Sequence, residues 1–191
     1  MALPAAEEVI HFWFGLPPSE EPRAEWFRKD EAFDERIRAR FGTQVEAALK
    51  GELRAWDATP SGALARILLL DQFTRNLFRG SAKAFAGDVF ALAAAQAMVV
   101  RGDDRWLSGV MRSFVYLPFE HSEDIDVQRE SLRLFARLGA ECPEMADNEV
   151  WAKKHEVIIA RFGRFPHRNE ALGRVSTAEE LAFLKEPGSS F

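Results

Sequence analysis

Apolar residues recur along this chain at intervals of three and four, and no segment alternates apolar with polar as a strand does. Phe33, Ile37 and Phe41 stand at i, i+4 and i+8, and Leu64, Leu68, Asp71, Arg75 and Phe78 follow i, i+4, i+7, i+11 and i+14. Runs rich in Val, Ile and Thr are absent. A chain patterned this way has helices to pack and no sheet to pack them on, so the expected fold is all-α.

Glycine, proline and capping residues divide the pattern into segments. A first helix is expected over 5–14, ending near Gly15 with Pro17-Pro18 beyond it. The next covers 30–41, with a break at Gly42 and a further helix through Val45 and Leu49 to Gly51. Thr59-Pro60-Ser61-Gly62 opens a long helix to about Phe78, closed by Gly80. Further helices are expected over 82–100 and over 109–117, the latter stopped by Pro118. Ser122 reads as the N-cap of a helix to Leu138 and Gly139, followed by acids suited to the positive end of a helix dipole. Pro143 starts a helix to Phe162, and Ser176-Thr177-Ala178-Glu179 reads as a capping box for the last one. The count is about eight or nine helices with short connections. Antiparallel pairs in a bundle and a short right-handed solenoid both fit.

The chain has 191 residues, 47% of them hydrophobic, with 16 Phe and 5 Trp, enough for one core in one domain. No internal linker divides it, so 1–186 is expected to form a single helical domain and 187–191 a loose tail. A net charge of −5 argues against nucleic acid as the main partner. The lone Cys142 supports neither an internal disulfide nor a cysteine-based zinc site. The N-terminus lacks a basic region followed by a long apolar one, and the apolar run 89–100 contains Gln96 and is too short to span a bilayer. The expectation is a soluble cytoplasmic protein. No oligomeric state follows from these features.

Glycine-rich phosphate loops, nucleotide fingerprints, a Gly-x-Ser-x-Gly elbow and His-Glu-x-x-His are all missing. His121, His155 and His167 with Glu120 or Glu123 could offer metal ligands from different helices, but their spacing matches no zinc pattern, and neither a metal nor another cofactor is expected.

Three clusters place polar groups on apolar stripes. The helix over 62–78 is apolar almost all round, yet carries Asp71 and Arg75 one turn apart, with Gln72, Asn76 and Arg79 at the same end. Either this is a structural ion pair that fixes packing or it is part of a site. His155 lies on the apolar face of Trp151, Ile158, Ile159 and Phe162, where a satisfied core histidine is the plain alternative to a catalyst. Pro118-Phe-Glu120-His121-Ser-Glu123 sets a histidine between carboxylates. The helix of His155 runs into Arg161-Phe-Gly-Arg164-Phe-Pro-His167-Arg168-Asn169, where arginines, histidine and asparagine alternate with aromatics. A solvated loop has no need of those aromatics. Charge is also segregated: residues 120–130 hold five acids and one base (net −4), residues 153–174 six bases and two acids (net +4). Pairing between the two segments is the simplest outcome, and spare arginines would form an anion site.

Asp71-Gln-Phe-Thr-Arg-Asn-Leu-Phe-Arg-Gly80, Pro118-Phe-Glu-His-Ser-Glu123, the run from His155 to Asn169, and Leu172-Gly-Arg-Val-Ser-Thr-Ala-Glu-Glu180 with Phe183-Leu184 resemble a bacterial family of unknown function, the domain-of-unknown-function family numbered 924. The resemblance runs from about Val9 to Leu184. It implies an all-helical, tetratricopeptide-like superhelix and no established activity.

The leading functional expectation is a pocket for a small anionic ligand, with Arg75, Arg79, Arg161, Arg164, Arg168, Asn169, Gln72 and Asn76 as binding candidates. His121, His155 and His167 are the acid/base candidates, with Glu120 or Asp71 orienting one of them. If this is right, the side chains converge in one concave pocket. The rival is a helical interaction module whose arginines read a peptide or acidic motif. RNA binding is the weakest of the three.

Overall fold

The computed structural model describes residues 6–19 and 21–190, and among them every regular element is helical. The described residues form nine α-helical segments: α1 (Ala6–Phe14), α2 (Glu31–Leu49), α3 (Pro60–Leu68), α4 (Thr74–Leu77), α5 (Asp88–Arg101), α6 (Gly109–Glu120), α7 (Ile125–Glu141), α8 (Asn148–Phe162) and α9 (Ala178–Phe183). A single π turn, Leu69–Phe73, joins α3 to α4, so these two form one rod. The all-α expectation holds.

The core sits around that rod. Leu64, Ile67, Leu68, Leu69, Leu70 and Phe73 are fully buried. α1, α5 and α6 pack on α3, and α2 packs on the π turn and α4. Trp13 of α1 meets Trp26, Phe33, Phe73 and Phe114 at ring-centroid distances of 5.3–6.0 Å. Aromatic contacts of this kind contribute beyond their buried area, about 0.5–1.5 kcal/mol per pair. α6, α7 and α8 then pack in succession.

Several boundaries differ from the sequence reading. Gly42 does not break α2, because the buried stripe Phe33, Ile37, Phe41 and Val45 runs through it and outweighs the roughly 1 kcal/mol a helical glycine costs. Pro118 lies inside α6 rather than ending it. It removes one N–H, but buried Val115, Tyr116 and Phe119 hold the last turn in place. Asp124, not Ser122, caps α7, its carboxylate accepting from the backbone of Asp126 and Val127. The capping box at α9 is real but one residue later, between Thr177 and Glu180. In the expected loose tail, Ser189 is buried and donates to the Leu184 carbonyl, while Phe191 lies outside the described residues.

Among the described residues one run, 82–101, is long and apolar enough to cross a membrane by length and composition. Its regular part, α5, has only 14 residues and packs on α3 and α6.

The feature that most directly positions a site is the entry to α5. A Cβ on Gly87 would stand 2.1 Å from the Leu70 carbonyl oxygen. Only glycine lets the start of α5 press against the π turn this closely. That contact sets Asp88, the first residue of α5, beside Arg75.

Candidate functional site

Asp71 sits in the π turn, a distortion that inserts an extra residue and redirects side chains. Its carboxylate is fully buried. Oδ2 accepts from Gln72 Nε2 at 2.6 Å. Oδ1 lies 2.7 Å from Nδ1 of His121, which caps the C-terminus of α6, and 3.2 Å from Arg75 Nη1. Burial opposes ionisation of Asp71, but the charges of Arg75 and His121 and the hydrogen bonds from His121 and Gln72 outweigh it, holding its pKa well below the usual carboxylate range. For His121 burial dominates. Reinforced by Arg75 and opposed by Asp71, it brings the imidazole pKa down to about 4. At neutral pH the pair is therefore a carboxylate and a neutral imidazole, with Nδ1–H donating and Nε2 carrying the lone pair. The His121 side chain keeps 14% of its surface exposed.

Beside this dyad lies an acid between two arginines. Arg75 grips Asp88 with Nη1 at 2.9 Å and Nη2 at 3.1 Å, and Nη1 also reaches the Asp71 carbonyl at 2.6 Å. Arg168 donates from Nη1 to Asp88 Oδ2 at 3.2 Å and to the His121 carbonyl at 3.1 Å. Its guanidinium lies against Phe85 and Phe165, 4.8 and 4.4 Å from the ring centroids. Nε of Arg168 is buried without a hydrogen-bond partner. Burial, with the neighbouring Arg75, lowers the Arg168 pKa to about 10. Arg168 remains a cation at neutral pH with donor capacity unused.

A second carboxylate–imidazole pair flanks the first. His155 Nδ1 is 3.0 Å from Glu120 Oε1 and 2.9 Å from the Trp151 carbonyl. Both side chains are buried. The His155 and His121 rings are 6.2 Å apart, and Phe165 packs edge-on against His155 at 5.6 Å. His167 stacks obliquely on Phe165 at 5.6 Å, and burial, then the charge of Arg168, pushes its pKa down to about 3.

The structure thus gathers Asp71, Gln72, Arg75, Glu120, His121, His155, His167 and Arg168 into one neighbourhood. The other candidates lie elsewhere, so the expected convergence of all of them does not occur. Asn76 and Arg79 both bind Asp34 of α2, at 2.6 Å each. Arg161 pairs with Glu179 at 2.9 Å. Arg164 holds Glu180 through Nε at 2.6 Å and Nη2 at 2.8 Å, and also bonds the Val175 carbonyl. Asn169 is tied to Ser176 and Arg174. Arg161, Arg164 and Asn169 therefore fasten the C-terminal segment carrying α9. The charge-segregated stretches do meet, through Glu123 with Arg174 at 2.6 Å and Glu120 with His155, but Arg161 and Arg164 turn to Glu179 and Glu180 instead. Sequence reasoning missed Asp88 and Phe85. The one available signal was Gly87-Asp88 inside an otherwise apolar helix. Two shallow depressions, beside Glu21 and Met145 and beside Lys153 and Phe183, include none of the clustered residues.

The profile of a family described as "Bacterial protein of unknown function (DUF924)" matches residues 9–188. The chain belongs to this family. It is similar in structure to a protein of unknown function from Agrobacterium tumefaciens, at 40% sequence identity and a TM-score of 0.83 over 94% of this chain and 96% of that one. No curated protein matches. The family membership supports the fold and carries no activity with it.

Proposed function

We propose that the Asp71–His121 pair is a proton-accepting dyad serving a small anionic ligand bound at Arg168 and Arg75. The observation that carries this reading is the 2.7 Å contact between His121 Nδ1 and Asp71 Oδ1. It fixes the tautomer and leaves Nε2 as the base, the arrangement of a carboxylate-oriented general base. Asp88 supports the anion half of the proposal, because its carboxylate already occupies both guanidiniums much as a ligand carboxylate or phosphate would. An incoming anion would compete with Asp88 and engage the unused donors of Arg168. Its negative charge would raise the His121 pKa toward neutrality, so binding would take up a proton. Glu120–His155, across from His121, is the candidate partner acid.

The competing reading, a tetratricopeptide-like groove for a peptide, would need its arginines along an open face. Arg161 and Arg164 are instead engaged within the chain.

Calorimetric titration with phosphate and a panel of small carboxylates, in two buffers of unlike ionisation enthalpy, tests the proposal. The expected result is saturable binding with proton uptake, lost in Arg168→Met. Asp88→Asn should lower the melting temperature in anion-free buffer and make it climb with added phosphate, by binding linkage. No heat with any anion, and no anion-dependent stabilisation of Asp88→Asn, would overturn it.

A further inference from the structure

Arg75 and Arg168 meet on one aromatic ring. Phe85 ends the short turn Ala82–Phe85 that precedes α5, and its ring centroid lies 4.8 Å from the Arg168 guanidinium carbon and 5.7 Å from that of Arg75. The residue is half-buried. The side chains of Arg75 and Asp88 keep 21% and 18% of their surface exposed, against 7% for Arg168. The cluster therefore reaches solvent along Arg75, Asp88 and Phe85, and a ligand that displaces Asp88 comes in beside that ring. Phe165, fully buried and 4.4 Å from the Arg168 guanidinium, forms the inner wall.

Asp88 shows which head group the two arginines accept. Three N–H groups, two from Arg75 and one from Arg168, fall on the two oxygens of a single planar carboxylate. Charge sets a limit on what can replace it. Arg75 and Arg168 stand against Asp71 and Asp88, so the four sum to zero, with His121 neutral. The neighbouring cations are already taken: Arg79 by Asp34, Lys83 by Glu46 and Arg174 by Glu123. Glu120, beside His155, adds another carboxylate. One incoming negative charge is balanced by the proton that His121 takes up. A second finds no countercharge, and stripping water from a doubly charged head against two rings is more costly still.

We propose, building on the anion site described above, that its ligand is a monocarboxylate carrying an apolar body, and that Phe85 is the residue that selects it. The carboxylate takes the place of Asp88 on the two guanidiniums. The body lies on the exposed part of Phe85, a contact from which a bare inorganic anion gains nothing. Phosphate enters the same site at higher concentration, as a weaker ligand.

Calorimetric titration of the full chain at about pH 8, where a phosphoryl group carries close to two charges, tests this with acetate, phenylacetate, phosphate and phenyl phosphate. Phenylacetate is expected to bind at least tenfold more tightly than each of the other three. A tenfold preference over acetate needs only about 55 Å² of apolar surface removed from water. Phe85→Ala should bring phenylacetate down to the acetate level, with folding checked by circular dichroism. Phe85→Gln, closer in volume to the native residue, should do the same and serves if the alanine variant unfolds. Phosphate or phenyl phosphate binding as tightly as phenylacetate would overturn the inference while leaving the anion site in place. Phenylacetate binding unchanged in the Phe85 variants, or retained in Arg168→Met, would overturn it as well. No heat with any of the four would remove the anion site and this inference together.

Discussion

The backbone at Gly87 passes so close to Leu70 that a Cβ there would come within 2.1 Å of the Leu70 carbonyl oxygen. This approach links fold to site, because it fixes where α5 begins and therefore where Asp88 meets Arg75 and Arg168. Gly87→Ala forces α5 away from the π turn and is expected to cost about 1–3 kcal/mol or more, the range of overpacked contacts. Chemical denaturation measures the loss. Crystallography of the variant should show the Asp88–Arg75 contact lengthened.

Asp71→Asn leaves the Arg75 cation and the buried His121 ring without their shared carboxylate. Removing one partner of a buried pair typically costs about 3–5 kcal/mol. At about 2–4 °C per kcal/mol for a chain of this size, the melting temperature should fall by about 6–20 °C. His121→Gln, combined with Asp71→Asn in a double-mutant cycle, should show coupling of about 0.5–3 kcal/mol. Strictly additive effects would mean that the 2.7 Å contact contributes little.

Stability should fall on acidification in a defined window. The His121 pKa is lowered from 6.5 to about 4 and that of His167 to about 3, so the unfolded chain binds protons that the folded one refuses. Their contribution is complete above about pH 6.5 and is lost as pH falls toward the folded values. Asp71, Glu123 and Glu180 are depressed carboxylates whose contributions fade at still lower pH, in the same direction. Melting temperature against pH should slope downward below pH 6.5, and His121→Gln should flatten the upper part of that slope.

Arg164→Ala should loosen the C-terminal segment without touching the anion chemistry. Its guanidinium spans Glu180 and the Val175 carbonyl, so the variant should show faster hydrogen exchange over 175–184. Anion titrations should match the wild type. A loss of anion binding in this variant would place Arg164 in the site.

The helices were legible because burial followed spacing. Phe33, Ile37 and Phe41 recur with the helical period, and all three are fully or almost fully buried. Punctuation was less reliable, since Gly42 and Pro118 act locally while neighbouring helices decide whether a turn continues. The π turn at Leu69–Phe73 had no local signature, being fitted to α2 and α5 packed against it. Within the site, Asp71, His121 and His155 could be singled out because polar groups on apolar stripes need partners. Their partners could not all be named. Arg164 and Arg168 look alike in sequence, each followed or preceded by aromatics, yet one meets Glu180 from a helix cap and the other meets Asp88 from the entry to α5. That choice is made by tertiary packing, and local pattern does not encode it.

Side-chain nitrogen NMR of His121, titrated with acid in the absence and presence of phosphate, tests the central claim most directly. The account predicts a neutral ring protonated at Nδ1, titrating near 4 in the free protein and moving toward neutrality when the anion binds. An imidazole titrating near its ordinary value, indifferent to both phosphate and Asp71→Asn, would contradict it.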